Sequence, residues 1–90
     1  MKIKEGFILK NIAGNYVVVP VGKEAIRMKA LINLNESSAF LWKQLEIGIE
    51  KEDLIQSLMN EYAIDQALAS KDTQHFIKVL IENKIVEDDE

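Results

Sequence analysis

Ninety residues fit one small domain, which at this size buries about 60 to 65% of its unfolded surface and folds without covalent staples. The chain has no cysteine, which excludes a disulfide framework and a thiolate metal site and is compatible with a reducing cytoplasm. Fifteen acidic against eleven basic residues give a formal net charge of −4, the wrong sign to attract a phosphate backbone, so nucleic acid is not an expected partner.

At the N-terminus, MKIKEGFILKN carries its apolar residues in short runs broken by charge. It is neither a signal peptide nor a membrane span, and a soluble cytoplasmic protein is expected. Phe7 to Leu9 and Tyr16 to Val19 are β-prone runs separated by Asn11, Ile12, Ala13, Gly14 and Asn15. Gly14 and Asn15 tolerate positive φ, so the segment reads as a hairpin with a slightly long turn, its strands at 6–11 and 15–20. Pro20 lacks a ladder donor and Gly22 frees the backbone, which ends the second strand and leaves Lys23 and Glu24 as a loop. From Ile26 every second residue is apolar, in Ile26, Met28, Ala30, Ile32 and Leu34, with Arg27, Lys29 and Asn33 between them. This period of two predicts a third strand over 26–33 with one buried face.

The alternation stops at Asn35, whose side-chain oxygen suits the unpaired amides of a first helical turn, and Glu36 behind it suits the positive end of the helix dipole. The first helix then buries Ala39, Phe40, Leu41, Trp42 and Leu45 and stops at Gly48. A second helix runs from Lys51 to Tyr62, with Leu54, Ile55, Leu58, Met59 and Tyr62 on one face and Glu52, Asp53, Gln56 and Asn60 opposite. Residues 63–66 connect it to a third helix from about Ala67 to Asn83, after which Ile85 and Val86 pack back. Residues 1–86 read as one body without a linker, and 87–90, EDDE, as a frayed acidic tail.

The third helix is unusually apolar. Placed at about 100° per residue from Leu68, its apolar side chains run from Val79 near 20° to Ile81 near 220°, an arc of about 200°. A helix resting on one core needs little more than half of that. Either the sheet covers one flank and the second helix the other, or one flank meets something outside the molecule. The candidates are Leu68, Asp72, His75 and Val79 on one side, and Ile77 with Ile81 on the other.

No catalytic constellation is present. His75 is the one histidine, with no cysteine to activate and no second histidine to share a metal, and reads as a solvated helical side chain. The four glycines are scattered singly, so there is no phosphate loop. Glu50, Glu52 and Asp53 read as a solvated helix start, and Trp42 as a core anchor. No cofactor, no metal and no enzymatic activity are expected.

The order of elements and the motif LNESSAFLW at the strand–helix junction resemble the PqqD-like family, the RiPP recognition elements. The family pattern has a YVVVP-like second strand, here Tyr16 to Pro20. It continues with a Leu-Asn-Glu-x-x-Ala-x-x-Trp junction, here Leu34, Asn35, Glu36, Ala39 and Trp42. A later Asp-x-x-x-Phe-Leu-x-x-Leu helix corresponds to Asp72, Phe76, Ile77 and Leu80. The match covers almost the whole chain. Ile77 stands where leucine is usual, and Lys84 where a glycine commonly follows the third helix.

The resemblance implies an α+β fold of winged helix-turn-helix type, a three-stranded antiparallel sheet followed by three helices. It also implies a non-catalytic function: binding the leader segment of a ribosomally made precursor peptide and presenting it to a modifying enzyme, often a radical SAM protein, in the making of PQQ or another peptide product. The family's groove lies between the third strand and the third helix. An extended peptide would pair with the backbone of Arg27, Met28, Lys29, Ala30, Leu31 and Ile32, with Arg27 and Lys29 available to acidic leader side chains. The groove would include Asp72, His75, Phe76, Val79 and Leu80, and the excess apolar arc gains a use. Two other readings share the architecture. A DNA-binding winged helix is poorly served by a third helix with Lys71, Lys78 and Lys84 but no arginine. A scaffold pairing its open edge with its own copy would be a weak homodimer rather than a monomer.

Overall fold

The computed structural model describes residues 1–28 and 31–86. Lys29, Ala30 and residues 87–90, the expected tail, lie outside the described residues.

Strands β1, Phe7–Ile12, and β2, Asn15–Pro20, form an antiparallel hairpin in which Phe7 faces Pro20 and Ile12 faces Asn15. The turn is therefore tighter than the expected one and consists of Ala13 and Gly14 alone, at φ of 52° and 85°. Two successive positive φ values give the turn the twist that right-handed strand pairs require, and the Asn11 side-chain oxygen accepts a hydrogen bond from the Gly14 amide at 3.0 Å. Asn11 and Ile12 extend β1 even though both are exposed, because ladder bonds ask for a partner strand and not for burial.

Residues 23–27 correct the sequence reading. Lys23–Arg27 form a short helix, α1, where a loop and the start of a strand were expected. The Ala25 amide donates to Gly22 at 3.2 Å and the Met28 amide to Glu24 at 2.8 Å. Glu24, Ala25 and Arg27 are strong helix formers, and over so few residues an apolar alternation does not distinguish strand from helical turn. Among the described residues Ile32–Leu34 form β3, pairing antiparallel with Val18–Tyr16. The sheet order is β1-β2-β3, which puts β3 at an edge.

Helix α2, Glu36–Ile47, starts where Asn35 predicts. The Asn35 oxygen accepts from the Ser38 amide at 2.8 Å and from the Ser37 hydroxyl at 3.1 Å, and Gly48 ends the helix at φ 89°. Helix α3, Lys51–Tyr62, buries Leu54 and Leu58 and stops at Ala63 in the left-handed conformation. Helix α4, Gln66–Glu82, is capped by Asp65, which accepts from the Leu68 amide at 2.8 Å. After α4 the Ile85 amide reaches back to Leu80 at 2.9 Å and the Lys84 amide to Ile81 at 3.0 Å, with Lys84 at φ 58°. That pair of bonds is the Schellman arrangement, which places Lys84 where glycine is favoured and turns Ile85 back onto Leu80.

Trp42, Leu41 and Leu45 of α2 form the centre of the core with Leu54, Leu58, Phe76, Leu80 and Ile85, closed on the sheet side by Phe7, Val18 and Met28. The chain ends meet: Ile3 bridges Val86, the Lys4 amide donates to Ile85 at 2.8 Å, and the Ile49 amide donates to Met1 at 3.2 Å. Among the described residues no helix is long and apolar enough to cross a membrane.

Candidate functional site

The sheet is asymmetric at its two rims, and β3 is the shorter edge. One side of Ile32–Leu34 is used by β2; among the described residues no strand pairs with the other side. Its amides and carbonyls there are a template for a further strand, held in place by a helix that begins two residues later.

Helix α4 carries the excess apolar surface, and its burial resolves the alternatives left by its composition. Phe76, Ala69, Leu80, Thr73 and Ile77 are buried, and on the same wheel they occupy only about 80° to 180°. Both ends of the apolar arc are uncovered: Leu68 is 45% exposed on one flank and Ile81 36% on the other. The first flank continues as Asp72 and His75, both exposed, and Val79, half-buried. The second opens into a groove of about 280 Å³ lined by Ile77, Ile81, Lys51, Gln74, Lys78 and Glu82. The core thus takes the middle of the arc, and neither the sheet nor α3 closes its ends.

The individual residues fall into three groups. Ile32, half-buried, begins β3, and Leu31, 56% exposed, immediately precedes it. Met28, Phe76 and Leu80 are core residues whose side chains support the rim and helix from behind. Lys29 and Ala30 lie outside the described residues. Arg27 occupies a different place from the one expected: it ends α1, donates from Nε to Glu24 at 2.7 Å, and donates from Nη2 to the Asn83 carbonyl at 3.2 Å. Its guanidinium is engaged in joining α1 to the end of α4. Ile26 was expected on the buried face of a strand and is instead 79% exposed, since α1 turns it outward. The run of helix formers after Gly22 was the available signal.

No curated protein matches the sequence. Two solved structures share the fold: TbiB1 in complex with the TbiA(beta) leader peptide, and lasso peptide synthetase B1 complexed with the leader peptide. The first is 21% identical with a TM-score of 0.78, covering 97% of this chain and 95% of that one. The second is 20% identical with a TM-score of 0.75, covering 97% and 96%. The family model described as coenzyme PQQ synthesis protein D matches residues 9–86, which takes in most of β1, all of β2 and β3, the capped junction at Asn35 and all of α4. On that match the chain belongs to the PqqD family.

Proposed function

We propose that this protein is a non-catalytic binding protein that captures the leader segment of a ribosomally made precursor peptide and presents it to a modifying enzyme, a radical SAM protein being the expected class. The observation that carries this reading is a β3 rim that no strand pairs with among the described residues, together with an α4 flank on which Leu68 is exposed and Val79 only half-buried. The leader adds as a fourth strand along residues 31–34, its main chain satisfying the free ladder groups. Alternate apolar side chains pack on the α4 flank of Val79 and Leu68, with Asp72 and His75 at its polar margin. Residues 1–86 act as one peptide-binding domain, and the protein works in the cytoplasm. Membership of the PqqD family and a fold shared with two proteins held in complex with leader peptides support the reading.

The test is a fluorescence anisotropy titration of a labelled leader peptide taken from a short precursor encoded beside this chain. Saturable binding that is abolished by deleting the leader's extended segment is expected. A leader that stays free at high protein concentration refutes the function.

A further inference from the structure

On the helix side of the sheet, where the hairpin end of β2 meets α2 and α3, lies a hollow of about 160 Å³, the liquid volume of about five waters. Its walls are Tyr16, Phe40, Tyr62, Glu36 and Glu61, with Ala39 and Lys43 completing the rim. We infer that this hollow receives a basic side chain, arginine or lysine, of the same precursor peptide that adds to β3. The inference rests on the proposed function for its ligand but on different residues for its site.

Three rings and two carboxylates make a surface that attracts cations, because ring faces are negative and each carboxylate adds full charge. The rings are held in order: Phe40 and Tyr62 meet edge to face with centroids 5.9 Å apart and planes at 89°. Among the described residues neither Glu36 nor Glu61 has a cation paired with it. The protein already shows what the hollow accepts, since the exposed Lys43 lays its ammonium over the Tyr16 ring at 5.4 Å. A surface lysine in that position is a weak resident that a peptide guanidinium displaces. The field is felt nearby as well: burial first, then the carboxylates of Glu36 and Glu61, and Tyr16, hold the Tyr62 phenol above its ordinary pKa.

The occupant follows from continuity with the rim. Tyr16 is the register partner of Leu34, the last residue of β3, and Glu36 lies two residues beyond Leu34. A strand added along β3 and running past Leu34 therefore reaches the Glu36 wall.

The probe is Nα-acetyl-arginine amide, titrated into the full chain and followed by aromatic proton–carbon NMR. Resonances of Tyr16, Phe40 and Tyr62 are expected to shift saturably, whereas Nα-acetyl-citrulline amide, of the same shape without the charge, leaves them in place. The Glu36→Gln/Glu61→Gln variant should weaken arginine amide binding roughly three- to tenfold, and Lys43→Gln should tighten it by removing the resident cation. Equal shifts with the citrulline amide, no shift at all, or no gain in Lys43→Gln overturns the site. With the leader itself, equal affinity for wild type and the double Gln variant also overturns it, while failure of the leader to bind wild type strikes the proposed function instead.

Discussion

Val79→Glu tests the proposed binding flank of α4 most directly. The side chain is half-buried on the open flank of α4, and its carbonyl accepts from both the Asn83 amide at 3.1 Å and the Asn83 side-chain nitrogen at 2.8 Å. Both bonds use the backbone and survive the change. Burying a valine side chain fully stabilises by about 1.5 to 3 kcal/mol, so docking a peptide over the half still exposed contributes about 1 kcal/mol at this position. A glutamate forfeits that and adds the cost of desolvating a carboxylate on a flank that already carries Asp72. Together these weaken leader binding by about 2 to 3 kcal/mol, or roughly thirty- to a hundred-and-fifty-fold in Kd. In the free protein the new side chain reaches water, so the fold loses less than about 1 kcal/mol and Tm falls by no more than about 4 to 8 °C. Calorimetric titration measures the affinity and thermal circular dichroism the fold. Val79→Ala should lose only a few-fold, and Ile81→Glu, on the opposite flank, should leave binding unchanged. Unaltered affinity in a folded Val79→Glu protein would remove this flank from the site, and a loss confined to Ile81→Glu would place the site in the groove on the other side of α4.

Four further changes test the fold around the site. Thr73 is fully buried and its hydroxyl has no hydrogen-bond partner among the described residues, so the isosteric Thr73→Val should raise stability by about 1 kcal/mol in urea unfolding; a loss would show that the hydroxyl is bonded. Lys84 sits at φ 58°, where a Cβ costs about 1 kcal/mol, and Lys84→Gly should recover a similar amount in the same assay; no gain would mean that the helix end carries no strain there. Asn35→Ala removes the cap of α2 and should cost about 1 kcal/mol, with Asn35→Asp largely restoring it. In an ultraviolet phenol titration the Tyr62 signal should rise above the ordinary pKa of about 10. The unfolded phenol ionises first, so this contribution to stability is complete below about pH 10 and is lost as pH climbs through the folded value; Tyr62→Phe should abolish that dependence.

The helices were legible because their signals are local. Asn35 and Gly48 bracket α2, the spacing of Leu54, Leu58 and Tyr62 defines α3, and the bounds of α3 coincide with the reading from periodicity. The Asp65 cap of α4 has a sequence signal too, a carboxylate three residues before Leu68, though it was read only as part of a connection. The stretch from Lys23 to Leu34 was not legible in the same way. Its alternation fits a strand and its helix formers fit a turn, and over so few residues periodicity does not decide between them.

Likewise, composition showed that α4 carries more apolar surface than one core can use, because that is a property of spacing alone. Which part of the arc the core took was decided by where α2, α3 and Ile85 come to rest against it. Secondary structure here follows from interactions within a few residues, which the chain carries wherever it goes. Exposure belongs to the assembled molecule, since a side chain such as Ile26, Val79 or Ile81 is covered or left open only by neighbours distant in sequence.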